Sequence, residues 1–124
     1  MKKSTLPFFL SAGMIFVCAN TREVNGILEA KKEYLRSMGT ALQVINDLVE
    51  LQNGRLTFSD TPHGKIFFCI EMYGNQWEFQ FTVEEIDENR CGVKIAIEQA
   101  AQGDEEMLRR EFALLDSLLA GEKP

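Results

Sequence analysis

The chain has 124 residues, the length of one ordinary domain and too short for two independent cores. Hydrophobic residues make up 45% and charged residues 26%, with nine Phe, so there is enough apolar surface to offset chain entropy and global disorder is excluded. Thirteen Lys and Arg against nineteen Asp and Glu give a formal net charge of -6 with no clustered basic footprint, which excludes nucleic acid as the expected partner.

The opening stretch MKKSTLPFFLSAGMIFVCAN admits two readings. The β-branched and aromatic content of MIFVCAN reads as a buried strand within residues 1–19. The alternative is a signal peptide, with Lys2 and Lys3 ahead of the apolar run from Leu6 to Val17, and Val17 and Ala19 as the small-residue pattern for cleavage after Ala19. That run is too short for a membrane span. The strand reading goes with a cytoplasmic protein and the alternative with an exported one.

Asn20 and Glu23 have the spacing of a capping box, and Val24, Ile27, Leu28, Tyr34, Leu35 and Met38 follow at helical intervals. This predicts a helix from about 21 to 38, stopped by Gly39. Residues 40–50 carry Ala41, Leu42, Ile45, Leu48 and Val49 at helical spacing and read as a helix in preference to a strand, either as a second helix or as the continuation of a kinked one.

From Gly54 the apolar period falls to two, the mark of a change from helix to sheet. Leu56 and Phe58 share one face of a first strand. Ile66, Phe68, Ile70 and Met72 do so in a second, Trp77, Phe79, Phe81 and Val83 in a third, and Cys91, Val93, Ile95 and Ile97 in a fourth. The opposite face reads polar, apart from Phe67, Cys69 and Tyr73. The connectors DTPHG, YGN and DENRCG carry the turn residues expected of an antiparallel meander. A last helix is predicted over 104–120, with Asp104, Glu105 and Glu106 in its first turn, Met107, Leu108, Phe112, Leu115, Leu118 and Leu119 as its core stripe and Gly121 as its stop.

The expected fold class is therefore α+β in a single domain over 1–124. Two layers are expected: an antiparallel meander sheet of four to five strands, covered on one face by an N-terminal helix or helix pair and a long C-terminal helix.

Catalytic signatures are sparse. The single histidine, His63, sits in a turn sequence without metal-ligand spacing, and the three cysteines Cys18, Cys69 and Cys91 form no CxxC pair. Reduced, buried thiols are expected, with a Cys69 to Cys91 bridge as the alternative for an exported chain. GxGxxG, P-loop, HExxH and GxSxG stretches are all missing, so neither an enzyme, a metal nor a cofactor is expected.

The order MIFVCANTREV into a helix, a meander ending in GVKIAIE, and the amphipathic helix GDEEMLRREFALLDSLL resembles a reduced form of the START-like helix-grip (SRPBCC) domains. That resemblance implies a sheet wrapped around the C-terminal helix and an apolar ligand held between them. No functional motif of the family is matched, and the chain is shorter by about two strands. The expected function is a non-enzymatic binding domain that holds a small apolar ligand against Trp77, Phe79, Phe81, Phe112 and Leu115. The alternative is a protein interaction or homodimer surface on the outer sheet face around Phe67 and Tyr73.

Overall fold

The computed structural model describes residues 22–24, 27–98 and 104–121. Strand β1 is Arg22–Val24, β2 is Ile27–Tyr34, helix α1 is Met38–Leu51, β3 is Arg55–Asp60, β4 is Lys65–Met72, β5 is Asn75–Asp87, β6 is Arg90–Glu98 and helix α2 is Asp104–Leu119. A short 3-10 turn at Thr61–His63 links β3 to β4. The six strands form one sheet in the order β1-β2-β6-β5-β4-β3, and every pairing is antiparallel. This is the expected two-layer α+β architecture, with a three-residue β1 added at one edge. The expected strand within MIFVCAN and its signal-peptide alternative both lie outside the described residues.

The helix expected over 21–38 is not formed. Most of that segment is the β1–β2 hairpin, and β2 pairs with β6 over eight residues from Ile27 opposite Glu98 to Tyr34 opposite Cys91. The physical reason is that opposed residues in an antiparallel pair share a face. Leu28, Ala30, Lys32 and Tyr34 therefore line the inner face opposite Ile97, Ile95, Val93 and Cys91. Eight ladder pairs on a central strand outweigh the helical spacing of a few apolar residues.

The helix at 40–50 forms, and it buries the stripe read from the sequence, Ala41, Leu42, Ile45, Leu48 and Val49. It starts earlier than expected. Ser37 is its cap, the side-chain oxygen accepting the Thr40 N–H at 3.2 Å, so Gly39 lies inside α1 and does not stop a helix.

The inner faces of β4, β5 and β6 match the expected alternation, with Ile66, Phe68, Ile70, Trp77, Phe79, Phe81, Val83, Cys91, Val93, Ile95 and Ile97 all buried. β3 departs from it. Leu56 stands opposite Phe68, but the register slips before Phe58, which stands opposite Phe67. The extra residue of this bulge, Thr57, turns Phe58 to the outer face. At the far end α2 carries its expected stripe, and Gly121, at φ 81°, ends it with an N–H bond to the Leu118 carbonyl.

Candidate functional site

The inner sheet face carries the aromatic residues that alternation places there, with α1 packed over β4 and β5 and α2 packed over β2 and β6. Phe68 sits at 5.6 Å from Phe79 and 5.3 Å from Phe81, ring centre to ring centre, and all three are fully buried. Phe112 and Leu115 approach from α2 and Trp77 from β5, so all five residues expected to line a ligand space belong to one buried cluster. At aromatic separations near 5 Å such rings hold one another in tilted contact.

Around this layer α2 is fixed by three polar anchors that sequence reading missed. At its first residue, Asp104 Oδ1 accepts the Trp77 indole N–H at 2.8 Å in a buried bond. At mid-helix, Glu111 is completely buried; its Oε1 accepts from Gln52 Nε2 at 2.8 Å and its Oε2 from Arg110 Nη1 at 2.9 Å. The same Arg110 nitrogen also donates to Gln52 Oε1, closing a triangle between α2 and the end of α1. Near the other end, Asp116 accepts from Lys32 Nζ at 2.8 Å and from the Tyr34 hydroxyl at 2.7 Å, tying α2 to β2.

Burial dominates the electrostatics of these anchors. It pushes the Glu111 carboxyl up to about 7, against the opposing pull of Gln52 and Arg110. Burial first, then the Asp116 carboxylate, drives the Tyr34 hydroxyl far above its ordinary value. The clue available in the sequence was polar residues interrupting apolar faces: Lys32 in the alternation of β2, and Glu111 between Leu108 and Leu115 on the stripe of α2.

The outer-face residues are not brought together as expected. Phe67 is half-buried and packs against Phe58 with the rings tilted by 43°, at 5.1 Å between ring centres. Tyr73 lies in the β4–β5 turn with φ 56° and is 84% exposed, six residues along the chain from Phe67. The apolar feature of this face is therefore the Phe58–Phe67 pair beside the β3 edge, with Leu56 on the inner side of that edge.

Cys69 and Cys91 are both free and buried, and they project from opposite faces of the sheet, since Cys69 stands opposite Glu78 and Cys91 opposite Tyr34. A bridge between them is thereby corrected. Burial also pushes the Cys91 thiol up, away from the reactive thiolate. His63 points its Nδ1 at Asp60 Oδ2 within its own turn, at 2.8 Å. Among the described residues no three His, Cys, Asp or Glu side chains gather in a way that could hold a metal, and no helix is long and apolar enough to cross a membrane.

One antiparallel sheet with α1 and α2 packed on its inner face defines a two-layer α+β class. No known protein family and no curated protein matches the chain. Among solved structures, CalU16 from Micromonospora echinospora aligns with a TM-score of 0.55 at 10% identity, covering 86% of this chain and 84% of its own. A conserved protein of unknown function from Enterococcus faecalis aligns at 0.48 and 9% identity, over 86% of this chain and 78% of its own. A START superfamily protein from Mycobacterium smegmatis aligns at 0.36 and 10% identity, over 77% and 92% respectively. The chain shares the fold of CalU16.

Proposed function

We propose that this chain is a non-enzymatic binding domain that holds a small apolar ligand between the inner sheet face and α2, against Trp77, Phe79, Phe81, Phe112 and Leu115. The observation that carries this reading is the way α2 is seated. A helix that only sealed a permanent core would gain most from apolar residues at every inward position, because a buried carboxylate costs several kcal/mol to desolvate, roughly what its partners return. Here α2 buries Asp104 and Glu111 against Trp77 of β5 and Gln52 at the end of α1, and its half-exposed Asp116 reaches Tyr34 of β2. Such anchors fix the register of the helix while leaving its apolar seal weaker than an all-apolar one, which suits a helix that yields to a ligand entering over the aromatic layer. The buried free thiols support a reducing, cytoplasmic setting.

Trp77 is the only tryptophan of the chain and lies within the proposed site, so its emission reports occupancy directly. Titration with the apolar dye anilinonaphthalene sulfonate is expected to give saturable, one-to-one energy transfer from Trp77, with affinity altered by Phe112→Leu. Transfer that does not saturate, or that is lost in Phe58→Ser and unchanged in Phe112→Leu, would overturn the reading.

A second reading has its own observation. Phe58 is 46% exposed and Leu56 50% exposed at the sheet edge, an apolar pair of the kind that marks a partner surface. It makes the outer face near Phe67 a protein interaction surface.

A further inference from the structure

Strand β3 ends the sheet, and no described strand pairs with its outer side. Residues 55–59 are all exposed, and the strand carries neither the proline nor the lysine with which edge strands are commonly blunted. Its blunting features are the charges at its two ends and the bulge, and that bulge has a consequence for facing. Arg55, Phe58 and Asp60 stand opposite Cys69, Phe67 and Lys65 on the outer face, whereas Leu56 and Ser59 stand opposite Phe68 and Ile66 on the inner face. Thr57 also reaches the outer face, donating its hydroxyl to Glu78 at 2.9 Å.

Read in either direction, the six residues therefore run outer, inner, outer, outer, inner, outer. A straight six-residue strand alternates strictly and, laid antiparallel on itself about its centre, would oppose inner to outer side chains at every position. The bulge makes β3 match its own reverse. The charges are self-complementary in the same register, because Arg55 begins the strand and Asp60 ends it.

We infer that β3 is a self-docking edge, through which a second copy of this chain pairs antiparallel and continues the sheet. In that register Arg55 faces Asp60 of the second copy, Leu56 faces Ser59 of the second copy and Thr57 faces Phe58 of the second copy. The pairing covers Leu56 and Phe58 and gives main-chain partners to an edge that no described strand pairs, the mode by which extended strands add to sheets. It deepens the second reading above by naming the partner. Asp60 keeps its His63 contact within the turn, so the intermolecular charge pair is partly shared. One short strand pair lies toward the small end of specific interfaces, below about 1,200 Å2, and the association is accordingly weak and concentration-dependent.

The test is sedimentation velocity of the full chain across a concentration series. Wild type is expected to self-associate reversibly, Arg55→Asp and Asp60→Arg each to weaken association by about tenfold or more, and the double variant to restore it. Restoration excludes misfolding as the cause, and both positions lie outside the core. A chain that is monomeric at every concentration overturns self-docking. A dimer indifferent to both charge reversals but lost in Phe67→Ser overturns the edge pairing while leaving the outer face as an interaction surface.

Discussion

Glu111 offers the sharpest energetic test. Its carboxyl is fully buried and its folded-state value lies at about 7 against an ordinary 4.5, with desolvation as the first cause. A carboxyl whose value is raised on folding binds its proton more tightly in the folded state. Its contribution to stability is fully present below the unfolded value, near 4.5, and is lost as pH rises through about 7. The rise corresponds to about 3 kcal/mol between the two limits. Glu111→Gln removes the titration and keeps the side-chain volume and a carbonyl acceptor for Gln52 or Arg110. Urea unfolding at pH 5 and pH 8 is the assay, and the quantity of interest is the change in the difference between wild type and variant, which cancels the titration of all unaltered groups. The variant is expected to gain on wild type by about 2 to 3 kcal/mol between the two pH values, with the advantage at pH 8 reduced by about 1 kcal/mol for the weakened Arg110 bond. A difference that stays constant with pH, or that moves in favour of wild type at high pH, would refute the assignment of burial as the controlling force.

Three further outcomes follow from the same geometry. Trp77→Phe removes one donor from the buried Asp104 carboxylate and is expected to cost about 1 to 3 kcal/mol in urea unfolding, where a surface substitution would cost almost nothing. Gly64 has φ 71° and a Cβ placed there would collide with the Val83 carbonyl, while its own carbonyl accepts the Val83 N–H at 2.7 Å; Gly64→Ala is expected to destabilise by about 2 kcal/mol or more, read by thermal unfolding. In a Tyr73→Phe background the remaining tyrosine, Tyr34, is expected to show no phenolate absorbance until the protein unfolds in alkali, because burial and Asp116 hold its proton; a titration near its ordinary value of about 10 would contradict this.

The sheet half of the fold was legible because β4, β5 and β6 alternate without interruption and their turns carry Gly, Asn and Asp. Helix α2 was legible for the matching reason, a stripe of period near 3.6 bounded by carboxylates and Gly121. The region before Ser37 was misread because Lys32 occupies an inner-face position, and a charged residue there hides the strand period. Its acceptor, Asp116, lies 84 residues away and no local pattern points to it. A signal was present nonetheless: Asn25-Gly26, the strongest short hairpin dipeptide, stands between β1 and β2. Of the candidate site, the aromatic floor was readable by alternation. The anchors were not, since Glu111 with Gln52 and Trp77 with Asp104 join elements whose approach depends on packing.

The most direct measurement of the central claim is native mass spectrometry of the full chain, as purified and after incubation with a panel of fatty acids, sterols and aromatic apolar compounds, followed by the same spectra under denaturing conditions. One added molecule per chain, retained natively and released on denaturation, is the expected result. A bare polypeptide mass under every native condition would contradict a ligand site between the sheet and α2.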